Sequence, residues 1–89
     1  MGKSAASGLM FGMSSRTILA RNLRLLRVAR GLSQEALADC ASIARSYVSA
    51  LERGRYSASV DRLDKLAAEL GVETHVLLMK DLPMEALKS

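Results

Sequence analysis

The sequence predicts an all-α fold, a compact bundle of five short helices, and three observations carry that prediction. Of 89 residues 49% are apolar, yet only Phe11, Tyr47 and Tyr56 are aromatic and none is Trp, so the core must be aliphatic. An aliphatic core suits packed helices better than a sheet, which draws on aromatic and β-branched residues. Apolar residues also recur at helical spacing between caps and glycine stops. The length is that of one domain, which excludes a multidomain enzyme. A single cysteine, Cys40, excludes an internal disulfide framework and a Cys-rich zinc site and fits a reducing cytoplasm. A chain this short buries roughly two-thirds of its unfolded surface, so association would add to a modest stability.

The elements follow in order. Residues 1–15 read as a flexible extension, with Met13 a candidate natural start; the apolar run Leu9-Met10-Phe11-Gly12 is shorter than a secretory core, and no segment is long enough to span a bilayer. A unit of packed helices then occupies residues 16–79. Leu19, Leu23 and Leu26 form the buried stripe of a first helix over Thr17–Arg30, opened by Ser14 or Ser15 and stopped by Gly31. Ser33 caps a second helix from Gln34 to about Cys40, with Leu37, Ala38 and Ala41 inward and Glu35 suiting the helix dipole. Four residues later a third helix runs Arg45–Glu52 and ends at Gly54. Ser59 caps a fourth, Val60–Leu70, whose Leu63, Leu66, Ala67 and Leu70 make its stripe before Gly71. A fifth is expected from near Glu73, carrying Val76, Leu77 and Leu78, with Pro83 ending it or opening a last turn in the tail 80–89.

Charge divides the chain. Residues 16–55 hold eight arginines (16, 21, 24, 27, 30, 45, 53, 55) against Glu35, Asp39 and Glu52, a net +5 within a total of +4, whereas residues 60–89 carry −2. The basic half is the candidate surface for a polyanion. The third helix sharpens this. Stepped at 100° per residue, Tyr47, Val48 and Leu51 fall on one arc and pack inward. Arg45, Ser46, Ser49, Ala50 and Arg53 share the other, which has only arginine and small residues where a solvated face usually carries Glu or Lys. Ser and Ala let a backbone come close to a base-pair edge, and an arginine can bond guanine O6 and N7 bidentately.

Three stretches carry a resemblance to a known family: Ala29-Arg30-Gly31-Leu32-Ser33-Gln34-Glu35-Ala36-Leu37-Ala38, Ile43-Ala44-Arg45-Ser46-Tyr47-Val48-Ser49-Ala50-Leu51-Glu52-Arg53-Gly54, and Leu63 to Val72. Their order and spacing resemble the phage-repressor and Cro-like, or Xre, helix-turn-helix proteins over about residues 18–78. The resemblance implies a five-helix bundle of the lambda-repressor type, with helices 2 and 3 reading double-stranded operator DNA as a homodimer. It implies base contacts by Arg45, Ser46, Ser49 and Ala50, the last limited to a thymine methyl. It implies phosphate contacts by Gln34, Tyr47, Arg53 and Arg55, and a structural ion pair between Arg27 and Glu52. The chain departs from the pattern at Ser42, where the family often has Gly, at Ala44 for a Ser or Thr cap, and at Ala58 for Pro. The third helix is therefore expected to begin irregularly, or to be capped by Ser42 or water.

Nothing supports catalysis. His75 and Cys40 sit on different helices without a partner, Cys40 reads as a half-buried thiol, and Asp61 and Asp64 read as dipole partners of the fourth helix; no metal or cofactor is expected. Leu25 and Val28 lie off the first stripe, and Leu78, Met79, Leu82, Met84 and Leu87 crowd the tail. These leftover apolar residues mark an expected dimer interface, against the alternative that the tail folds back on its own monomer. The expected function is a cytoplasmic, sequence-specific repressor or controller that places helix 3 in the major groove. The alternative is an antitoxin-like module that binds a protein partner first and DNA second.

Overall fold

A computed structural model of the chain describes residues 14–88, and the expected extension lies outside them apart from Ser14 and Ser15. Among the described residues four α-helices follow one another: α1 Ser15–Ala29, α2 Gln34–Ala41, α3 Arg45–Glu52 and α4 Val60–Leu70. Ser14, Ser33 and Ser59 cap α1, α2 and α4, each accepting from a backbone N–H three residues on. Ser14 and Ser15 thus belong to the start of α1.

The expected fifth helix is two short 3-10 turns instead, Thr74–Leu78 and Met84–Leu87. Continuing an α-helix through Met79 would ask Pro83 to donate an N–H it lacks. The carbonyls of Leu77 and Met79 are also taken by Asn22, whose Nδ2 donates to them at 3.1 and 2.8 Å. Asn22 is 0% exposed, the only buried polar residue among the described residues, and its Oδ1 accepts from Arg21 Nε at 3.2 Å. A buried amide without partners would cost several kcal/mol, so this geometry is what admits it to the core. The residue docks the chain after α4 onto α1.

The core gathers Leu19, Leu23 and Leu26 of α1, Leu37 of α2, Val48 and Leu51 of α3, Leu66 and Leu70 of α4, and Leu77. Leu82, Ala86 and Leu87 pack against it, so this part of the tail folds back on its own monomer. Arg30 holds it there, donating from Nε to Leu70 O at 2.9 Å and from Nη2 to Ala86 O at 2.7 Å. Arg21 donates to the carbonyls of Met79 and Lys80. Two arginines of the basic half are therefore structural.

All four helices end alike. The residue after each helix, or one further on, turns left-handed and donates three residues back, and its successor donates five back, to Arg27, Ala38, Ala50 and Ala67. Gly31, Gly54 and Gly71 occupy three of these positions, and Ser42, at φ 58°, occupies the fourth. A side chain there costs about 1–2 kcal/mol. Two residues later Ala44 opens α3 with no side-chain cap, so neither end of the turn between α2 and α3 has its favoured residue.

One ion pair closes this corner. Arg27 Nε donates to Glu52 Oε2 at 2.6 Å and Nη2 to Oε1 at 3.0 Å, with the side chains 13% and 5% exposed. Arg27 Nη1 donates to Leu32 O at 2.8 Å. Hydrogen bonding to Glu52 raises the Arg27 pKa, burial lowers it less, and the carboxylate's charge adds a further rise. A raised pKa stabilises the fold wherever arginine is charged and loses that effect only above the ordinary arginine range, so Arg27 itself confers no pH dependence near neutrality.

Two predictions follow from this corner. Ser42→Gly relieves the left-handed side chain and Ala44→Ser supplies a cap worth about 1 kcal/mol, so each should raise the melting temperature. Unchanged melting in both would mean that this turn stores no strain. Glu52→Ala should strand a buried guanidinium and cost about 3–5 kcal/mol in chemical denaturation, against under about 1 kcal/mol for an exposed pair.

Candidate nucleic-acid interface

The sequence of α3 alternates between anchoring and presentation. Val48 and Leu51 are buried and fix the helix to the core, and this leaves Arg45 and Ser46 exposed and Ser49 half-exposed. Ala50 is only 7% exposed, and the left-handed turn after α3 brings the Arg55 N–H to Ala50 O at 3.0 Å. Arg53 and Arg55 both stay exposed beside it.

One broad hollow runs along this surface. Ser46, Tyr47, Ala50, Arg53 and Arg55 line it together with Ser42, Ile43, Ala44, Tyr56, Arg62 and Lys65. The hollow therefore brings together two expected base contacts and three expected phosphate contacts. Arg45, Ser49 and Gln34 lie outside its lining. Gln34 is half-buried and donates from Nε2 to Glu52 Oε1 at 3.1 Å, so its amide nitrogen is engaged by the ion pair. Its backbone stays at the N-terminus of α2, where N–H groups favour an anion. Arg27 and Glu52 meet in a salt bridge, so Glu52, at the end of a helix whose exposed face carries Arg45, is neutralised within the protein.

Tyr47 is half-buried, its ring stacked on Tyr56 with centroids 6.3 Å apart. The Arg62 guanidinium lies over the Tyr47 ring, 4.6 Å from its centroid. Sequence reasoning left Tyr56, Arg62 and Lys65 out of the site, since segment charge assigned the two cations to the acidic half. The helical spacing of Arg62 and Lys65 was visible, but only the packing of α4 places them beside α3.

The remaining candidates fall elsewhere. Cys40 is exposed, which corrects the expectation of a half-buried thiol. Asp64 accepts from Thr74 Oγ1 at 2.6 Å and so ties α4 to the following turn, while Asp61 alone stands in the first turn. Among the described residues no cluster of three or more His, Cys, Asp and Glu could hold a metal ion, and no helix is long and apolar enough to cross a membrane. Of the expected dimer residues, Leu78 and Met84 are exposed, Met79 is half-buried, and Leu82 and Leu87 are half-buried against their own core. Leu25 and Val28 are exposed on α1.

Comparison with known proteins agrees with this arrangement. Residues 23–77 match the profile of the helix-turn-helix family. A hypothetical transcription factor of Neisseria meningitidis serogroup B is 47% identical over 73 residues, 82% of this chain and 67% of that protein. The crystal structure of the Neisseria factor superposes with a TM-score of 0.73 at 44% identity, covering 83% of each chain. The restriction-modification controller protein C.AhdI of Aeromonas hydrophila superposes with a TM-score of 0.68 at 42% identity, covering 70% of this chain and 94% of the controller. The regulator DdrOP3 of Deinococcus deserti is 43% identical over 60 residues, 67% of this chain, which spans under half (46%) of that relative's length. By the profile over residues 23–77 and by these identities, the chain belongs to the helix-turn-helix family.

Proposed function

We propose that this chain is a DNA-binding transcription regulator of the repressor or controller kind that seats α3 in the major groove of double-stranded DNA. The observation that carries this reading is the outer face of α3: Arg45 and Ser46 exposed, Ser49 partly so, with no unpaired acid and with Arg53 and Arg55 alongside. Arg45 at the N-terminal end of α3 suits a guanine edge, and the two serines suit close approach to neighbouring bases. Ala50, at the floor of the hollow, is limited to a methyl contact. Arg53, Arg55, the Tyr47 hydroxyl and the N-terminus of α2 at Gln34 are assigned to phosphates, which position the helix without reading sequence. The regulators and controller named above support this over a protein-interaction module that binds DNA secondarily.

Two copies would act together. Leu78 and Met84 expose apolar surface beyond the tail's own packing, as do Leu25 and Val28 on α1, and such surface suits an interface. A two-fold dimer would set two α3 helices about 34 Å apart, one turn of B-DNA.

DNA fragments selected by the purified protein should yield a common site. On that site Arg45→Ala should cost about 1–3 kcal/mol while leaving random-sequence binding nearly unchanged. Arg53→Ala and Arg55→Ala should weaken both DNAs alike. Selection that enriches no sequence would overturn the reading. Sedimentation at micromolar concentration should report a dimer that Leu78→Glu and Met84→Glu, both exposed substitutions, move toward monomer; a wild-type protein monomeric with and without DNA would refute the association.

A further inference from the structure

We propose that Arg62, with Lys65 beside it, is a further contact to the nucleic-acid backbone, and that the Tyr47 ring positions it. This rests on the DNA-binding reading above and adds a second strip of phosphate contacts, carried by α4, to those around α3.

Three features of the structure meet at this residue. Arg62 is exposed and lies over the Tyr47 ring at 4.6 Å, and Tyr47 is itself stacked on Tyr56, so the guanidinium rests on a ring that a second tyrosine packs in place. A guanidinium held by its face keeps its N–H donors at the edge, pointing outward in plane, which is the geometry that grips a phosphate. Among the described residues no carboxylate or carbonyl receives a hydrogen bond from the Arg62 side chain, in contrast to Arg21, Arg27 and Arg30, whose guanidinium groups bond carbonyls or Glu52. The site is also continuous with the assigned one. Arg62 and Lys65 line the same hollow as Ser46, Arg53 and Arg55. Asp61, the acid of the same turn, is exposed but is not part of that lining.

The backbone of α4 explains why the arginine stands there. Ser59 accepts from the Arg62 N–H at 3.2 Å and sets the first turn, and Leu63 and Leu66 are buried. Arg62, four residues before Leu66, stands at the flank of this buried stripe, where it reaches the Tyr47 ring of α3, and Lys65 stands further round the helix. Tyr47 thereby serves two groups: its hydroxyl is assigned to a phosphate, and its ring face favours the position of Arg62 over it. Restriction before binding lowers the entropy lost when the contact forms.

The test uses the full chain and a mixed-sequence 30-base-pair duplex, because a backbone contact reads no sequence. Binding is measured from ~50 to ~200 mM salt. Each phosphate contact contributes about 0.9 to the log–log salt slope, which over this range is about a threefold change in affinity. Arg62→Ala should reduce the slope by about that amount per bound protomer, and Lys65→Ala should reduce it too. Arg62→Lys should keep the slope yet bind more weakly, since it keeps the charge and loses the stacked plane. Lys88→Ala, the same loss of charge on the tail, should keep the wild-type slope. In a Tyr47→Leu background, Arg62→Ala should weaken binding less than in wild type, with melting curves confirming that both proteins are folded. An Arg62→Ala slope equal to wild type, while Arg53→Ala lowers it, would overturn this proposal and leave the α3 reading intact. A wild-type chain without salt-dependent binding to the duplex would overturn both.

Discussion

The Arg27–Glu52 pair is the constraint on which the placement of α3 depends. It joins the end of α1 to the end of α3, takes in Leu32 O before α2, and through Gln34 reaches the first turn of α2. Three helices thus converge on one carboxylate. Removing a member leaves a charge in a place where water cannot fully solvate it, so the pair enforces this arrangement by making its loss expensive. It also solves an electrostatic problem. An acid on the helix that should meet phosphates would repel them, and bidentate pairing cancels that charge within the protein.

The arginines divide by what their donors reach. Arg21 and Arg30 bond to carbonyls of the tail and of the end of α4, and act as clasps for a chain that has run out of helix. Arg45, Arg53 and Arg55 remain at the surface. A net positive segment therefore overstates the charge available to a polyanion, because part of it closes the fold. Arg62 and Lys65 partly restore the balance from a segment that is acidic as a whole.

Asn22 plays a comparable part without charge. A leucine at this position would pack well but would take the amide donor from the Leu77 carbonyl and leave the Met79 carbonyl with only the longer bond from Arg21, and a buried acceptor left without a partner destabilises a fold by about 1–3 kcal/mol. The amide converts a segment that cannot continue as a helix into one that docks. The tail then covers the core with Leu82, Ala86 and Leu87 and leaves Leu78 and Met84 outward.

The sequence by itself determined the four α-helices, since each has a stripe at helical period and a signal at its ends: Ser33 and Ser59 open α2 and α4, and Gly31, Gly54 and Gly71 close three of the four. It also determined the outer face of α3, because Val48 and Leu51 can point only inward and so orient the rest. These are local properties, written within one or two turns of chain. Only the tertiary structure decided the fate of residues 73–88, where a helical run of Val76, Leu77 and Leu78 lost its hydrogen bonds to Asn22, more than fifty residues away. Only it decided that Ala50 lies nearly closed, that Gln34 answers to Glu52, and that Arg62 crosses from an acidic segment to the ring of Tyr47. Each of these is a contact between residues distant in sequence, and neither period nor segment charge contains the distance between two helices.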